Sequence, residues 1–136
     1  MAREVVRLRG SSLDDNSLYL QSAMLYLGRA LARLDSVPAG VAMMREAQRL
    51  RRRGLPADHW LQASTDASLG EVLTLGGQYA EAESLLLDAE KRLLAGRGEQ
   101  HEATQTARTR LVALYQRWGK PAQAATWQTK VTVAPQ

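Results

Sequence analysis

The chain has 136 residues, about one ordinary domain, and is 45% hydrophobic and 24% charged, the balance of a folded globular protein rather than a disordered one. It has no cysteine, which excludes disulfides, thiol catalysis and cysteine-based zinc sites, and 18 Lys+Arg against 14 Asp+Glu leave a net charge of +4. Its first residues interleave charges with apolar side chains and no run approaches ~18 apolar residues, so neither a signal peptide nor a membrane span is expected, and the expected location is the cytoplasm.

Alanine, leucine and arginine dominate, a helix-forming vocabulary. A shift of the sequence against itself by 42 positions brings Leu27 onto Leu69 and Leu111, Gly28 onto Gly70, and Leu31 onto Leu73 and Tyr115. The same shift aligns Ala47 with Ala89, Gly54 with Gly96, His59 with His101 and Gly77 with Gly119. So many coincidences across the unit make a repeat, and each unit reads as two helices.

In chain order, residues 1–10 come first. Arg3-Glu4 and Arg7-Leu8-Arg9 lie one period before Arg45-Glu46 and Arg49-Leu50-Arg51, so this stretch is a half repeat or a capping helix. Residues 15–54 form the first hairpin, with Asp35-Ser36-Val37-Pro38 at its turn. That unit ends in Arg49, Arg51, Arg52 and Arg53. Such a cluster either complements the negative end of a helix dipole or meets phosphate or acidic lipid.

Residues 58–96 form the second hairpin. Asp58 is the expected cap of a helix from about His59 to Leu75, which Gly76-Gly77 stops. A second helix follows from about Tyr79 to Ala95, with Ala82, Leu86, Ala89 and Leu93 on one stripe, and Gly96 and Gly98 end it. Residues 101–131 repeat the plan, Pro121 opening the last helix where its missing N–H costs nothing, and 132–136 are a tail.

These residues resemble the tetratricopeptide repeat family. Its pattern places Leu-Gly and then Tyr on a first helix, and Ala followed four residues later by a bulky apolar side chain on a second. The middle unit offers Leu69-Gly70, Leu73, Ala82 and Leu86; the first offers Met24, Leu27-Gly28, Leu31, Gly40 and Met44; the last offers Leu111, Tyr115 and Ala124. The 42-residue period and the stretch HEATQTARTRLVALYQRWGKPAQAA look like the long-helix variety of kinesin light chains, and still more like bacterial arrays, including those C-terminal to serine/threonine kinases. Asp66 and Arg108 depart from the pattern, standing where a large apolar residue is wanted; Val112 replaces glycine and Gln128 replaces the bulky residue.

The resemblance implies an all-α superhelix, a right-handed solenoid of antiparallel helical hairpins with about three and a half repeats. It implies a protein–protein interaction scaffold that binds a protein or peptide partner in its concave groove. The alternative is a regulatory or substrate-recruiting C-terminal segment of a bacterial signalling protein such as a kinase. Pairing with another copy through the end faces of the stack is open. Nucleic-acid binding is the least expected reading, because the arginine cluster has no interleaved aromatics.

No enzyme is expected. Gly119-Lys120 lacks the upstream glycine of a phosphate-binding loop, and no nucleophile elbow or kinase triplet occurs. No cofactor or metal is expected either: His59 and His101 lie one repeat apart, as capping or packing residues would.

Carried over position by position, the family's groove falls on Ser22, Tyr26, Arg29 and Arg33 in the first unit. It continues on Ser64, Ser68, Glu71 and Thr74 in the second, and on Thr106, Arg110, Ala113 and Arg117 in the third. Four arginines against one glutamate make this face basic, which points to an acidic peptide, a C-terminal carboxylate or a phosphorylated segment. The competing reading is that the long arginines simply solvate a helix face.

Overall fold

The computed structural model describes residues 17–34 and 36–132. The expected half repeat at 1–10 and all but the first residue of the tail lie outside them. Six α-helices, and no strand, occur among the described residues. They are α1 (Leu18–Leu34), α2 (Val37–Gly54), α3 (Trp60–Leu75), α4 (Tyr79–Arg97), α5 (Glu102–Arg117) and α6 (Pro121–Gln128). The fold is an all-α helical repeat, as its sequence period requires.

Local chemistry sets the helix ends. Ser36 caps α2, its hydroxyl accepting from the Ala39 N–H, with Pro38 in the first turn. The expected cap Asp58 is displaced by its neighbour: His59 Nδ1 accepts from the Leu61 N–H at 3.1 Å. His101 does the same for Ala103 at 3.0 Å, so the two histidines are one capping device used twice. Accepting through Nδ1 leaves the ring proton on Nε2. Gly77 and Gly119, one period apart, take φ of +78° and +75° and turn the chain into the second helix of each hairpin. Gly96 lies within α4, which runs on to Arg97 before Gly98 ends it.

Small residues bring each helix pair together. A methyl group on Gly40 would fall 2.5 Å from the Gly28 carbonyl oxygen, and one on Gly70 would fall 2.7 Å from Leu86 Cγ. In the third hairpin Val112 holds the glycine column and Gln128 the bulky one, and both line a shallow depression at the end of the stack. The core runs through all three hairpins along Met44, Leu69, Leu86, Leu93, Leu111 and Leu114, all below 2% exposed. Burying such side chains is the main source of stability, at roughly 1.5–3 kcal/mol each.

Asp66 and Arg108, the two departures from the apolar pattern, are buried at the seams between hairpins. Asp66 Oδ1 accepts from Gln48 Nε2 at 2.7 Å and Oδ2 from Arg92 at 3.2 Å. One period on, Arg108 Nε donates to Glu90 Oε2 at 2.9 Å. Each pair spans 18 residues, from a second helix to the next first helix, with its polarity reversed between the two seams. Complementary buried partners compensate the desolvation that an isolated charge would suffer there.

Beyond sequence neighbours, the backbones of α1 and α3 and of α3 and α5 approach closely, whereas those of α2, α4 and α6 do not, and α2 meets α4 at the tip of an exposed ion pair, Arg45 Nη2 to Glu81 Oε2 at 3.0 Å. First helices packed side by side with second helices splayed apart give a stack curved toward the first helices. No helix of the described residues is long and apolar enough to cross a membrane.

Candidate functional site

The curvature opens a cleft of about 430 Å3 along α1, α3 and α5, within the range of small-ligand and peptide side-chain pockets. Eight of the twelve sequence-derived groove positions line it: Ser22, Tyr26, Arg29, Ser64, Ser68, Glu71, Thr106 and Arg110. Arg33 stands at its edge, joined to Glu71. Ala113 and Arg117 are exposed but outside the cleft lining. Thr74 turns inward at 4% exposure and its hydroxyl donates to the Gly70 carbonyl at 2.8 Å. It is one residue off the 42-residue column of Arg33 and Arg117, a step that rotates a helical side chain to another face.

Two carboxylates line the cleft, the exposed Glu102 and Glu71, and the arginines gather on the second. Glu71, on the central helix, faces Arg29 Nε at 3.1 Å, Arg33 Nη2 at 3.3 Å and Arg110 Nη2 at 3.6 Å, drawing together all three first helices. The contact with Arg29 is close but badly aimed: Arg29 Nε and Glu71 Oε1 are both buried with no hydrogen-bond partner. Arg110 also reaches Ser68 Oγ, at the limiting distance of 3.5 Å. Burial draws the Arg110 pKa below that of a free guanidinium; Glu71 opposes the shift, and Arg29 and Arg33 reinforce it. Three cations therefore share one anion in partial shelter from water.

A fourth cation lies in the cleft wall. Arg51 comes from the end of α2 and is 2% exposed. Its guanidinium donates to Thr65 Oγ1 at 2.7 Å and to Gln21 Oε1 and Ser22 Oγ, each at 3.2 Å. All three acceptors are neutral, and burial lowers its pKa with no carboxylate offsetting it. The arginine cluster expected near the end of that helix is thus divided. Arg51 turns inward, whereas Arg49, which pairs with Glu46, Arg52, 3.7 Å from Asp66, and Arg53 stay exposed.

At the far end of the cleft Trp60 packs edge-on to His101, with ring centroids 5.1 Å apart, and the Arg97 guanidinium lies 4.9 Å from the Trp60 ring centre. Trp60 is four residues before Ser64 and shares its helix face, a signal the sequence did carry. Arg51 carried none, because it reaches the cleft from a second helix. Among the described residues no group of three histidine or carboxylate side chains converges as metal ligands do.

No protein-family model matches the chain, and no curated protein does. Solved structures do. A single-substitution variant of the nearly identical TPR-like repeats of a candidate kinesin light chain from Podosopora anserina superposes with a TM-score of 0.75 at 18% identity, covering 96% of this chain and 61% of that one. The unsubstituted protein gives 0.71 at 20% identity, covering 96% and 62%. The chain spans about three fifths of those chains, and the likeness is one of fold.

Proposed function

From this TPR-like repeat fold, we propose that the chain is a protein-interaction scaffold whose concave cleft takes up an acidic segment of a partner protein. The observation that carries this reading is the charge imbalance: Arg29, Arg33 and Arg110 share Glu71, and Arg51 contacts only neutral acceptors. Guanidinium groups match carboxylates and phosphates in shape as well as charge. Tyr26, 74% exposed at the rim, supplies an aromatic surface of the kind that dominates binding energy at interfaces. Two of the cleft's hydroxyls are engaged within the chain, Ser22 accepting from Arg51 and Ser68 donating to the Ser64 carbonyl, in keeping with a binding surface.

The test is a peptide array probed with the labelled chain. Acidic peptides, phosphoserine- and phosphothreonine-bearing ones included on the same array, should be retained over neutral and basic ones, with retention falling as salt rises. The double variant Arg29→Glu/Arg110→Glu should lose that preference while keeping its helical circular dichroism. Unchanged retention by the folded variant would remove the cleft from the account.

A further inference from the structure

The contacts of Glu71 have an odd combination of properties. The carboxylate is central, three guanidiniums surround it, and yet its Oε1 accepts no hydrogen bond. Its best directed contact is with the half-exposed Arg33, at 3.3 Å. The seam cluster two residues along α5 differs: there Arg108 makes bonds of 2.9–3.0 Å to Glu90, Glu99 and the Lys130 carbonyl. Glu71 thus neutralises its arginines incompletely and holds them loosely. With Arg51, four guanidiniums stand against two carboxylates, Glu71 and the exposed Glu102, and leave two positive charges uncompensated at the cleft.

We propose that Glu71 is an internal competitor for these arginines, and that the external group it yields to is a phosphate monoester dianion, as borne by a phosphoserine or phosphothreonine of a partner. This rests on the cleft being the binding face and names the class of anion it takes. A tethered carboxylate competes at an effective concentration on the order of millimolar or above. An incoming carboxylate has the same charge and the same two acceptor oxygens, so it gains little by exchange. A phosphate monoester brings two charges and three terminal oxygens, which matches the uncompensated charge and offers Arg29 Nε the acceptor it lacks. The Ser64, Ser68 and Thr106 side chains line the same cleft and supply neutral polar groups around such an anion.

Phenyl phosphate and benzoate, of similar size and differing in the anion, separate the alternatives without any partner protein. Titrations of the full chain are read by calorimetry and by the fluorescence of Trp60, with Trp60→Phe identifying its share of the signal. The wild type should bind phenyl phosphate saturably and benzoate at least about tenfold more weakly. Glu71→Gln should tighten phenyl phosphate by about tenfold and bring benzoate binding into range, whereas Arg110→Gln should weaken phenyl phosphate by a similar factor. Phosphate affinity that is unchanged or weakened in folded Glu71→Gln would overturn the competitor role. Equal binding of the two anions by the wild type would overturn the phosphate assignment. If phenyl phosphate behaves as stated but the peptide array shows no preference for acidic or phosphorylated peptides, the partner reading fails and the anion site stands.

Discussion

Arg108 and Arg110 sit two residues apart on α5 and lead opposite lives. Arg108, in the seam between hairpins, is 4% exposed and donates to Glu90, Glu99 and the Lys130 carbonyl. Desolvation acts to lower its pKa, but the hydrogen bonds and charges of the two glutamates outweigh it and the net shift is upward. Arg110, in the cleft, shares one carboxylate with two other arginines, and its pKa is lowered. A guanidinium whose acceptors are supplied by its own chain is structural; one left short of acceptors beside a cleft is available. The comparison also explains the position of each along the helix, since residues two apart are rotated by about 200° and so point to opposite sides, one into the seam and the other into the groove.

The largest effect should come from Arg108→Leu. It leaves Glu90 buried without its cation, and thermal or urea unfolding should report a loss of about 3–5 kcal/mol. Adding Glu90→Leu removes the stranded charge and should recover most of that loss, because an apolar pair of similar volume costs little in such a seam. Failure of the double variant to recover would mean that Arg108 acts through Glu99 or the Lys130 carbonyl instead.

A smaller loss, about 1–3 kcal/mol, should follow Asp66→Leu in the other seam, where Arg92 keeps Asp88 and the buried donor left without its acceptor is the neutral Gln48. His59→Ala and His101→Ala, outside both arginine clusters, should each cost about 1 kcal/mol in denaturant unfolding through the lost cap. Arg110→Gln should move stability by less than about 1 kcal/mol, since the pairing it breaks is partly solvated and its removal relieves repulsion from Arg29 and Arg33.

Much of the fold was legible because repetition averages out local ambiguity. The 42-residue period, the glycines at 77 and 119, and the small residues at 40, 82 and 124 each mark a helix end or a close helix approach that recurs. Asp58 was the expected cap because aspartate is the stronger capping residue in general, while the backbone here gives the place to His59, one of the two histidines read as capping or packing residues. Asp66 and Arg108 read as lapses in an apolar column. Their partners, Gln48 and Glu90, lie 18 residues upstream, a separation no helical periodicity marks. The groove positions came from the family resemblance; eight of them line the cleft, Ala113 and Arg117 lie outside its lining, and one residue of slippage turned Thr74 into the core. That Glu71 gathers three arginines from two other helices is a tertiary fact with no local signature.

Backbone amide chemical-shift mapping addresses the cleft most directly. Titration of an acidic peptide retained on the array into the isotope-labelled chain should move resonances on α1, α3 and α5 around Ser22, Ser68, Glu71 and Arg110, and leave α2, α4 and α6 largely still. Shifts concentrated on the second helices or at the ends of the stack would contradict a partner site on the concave face.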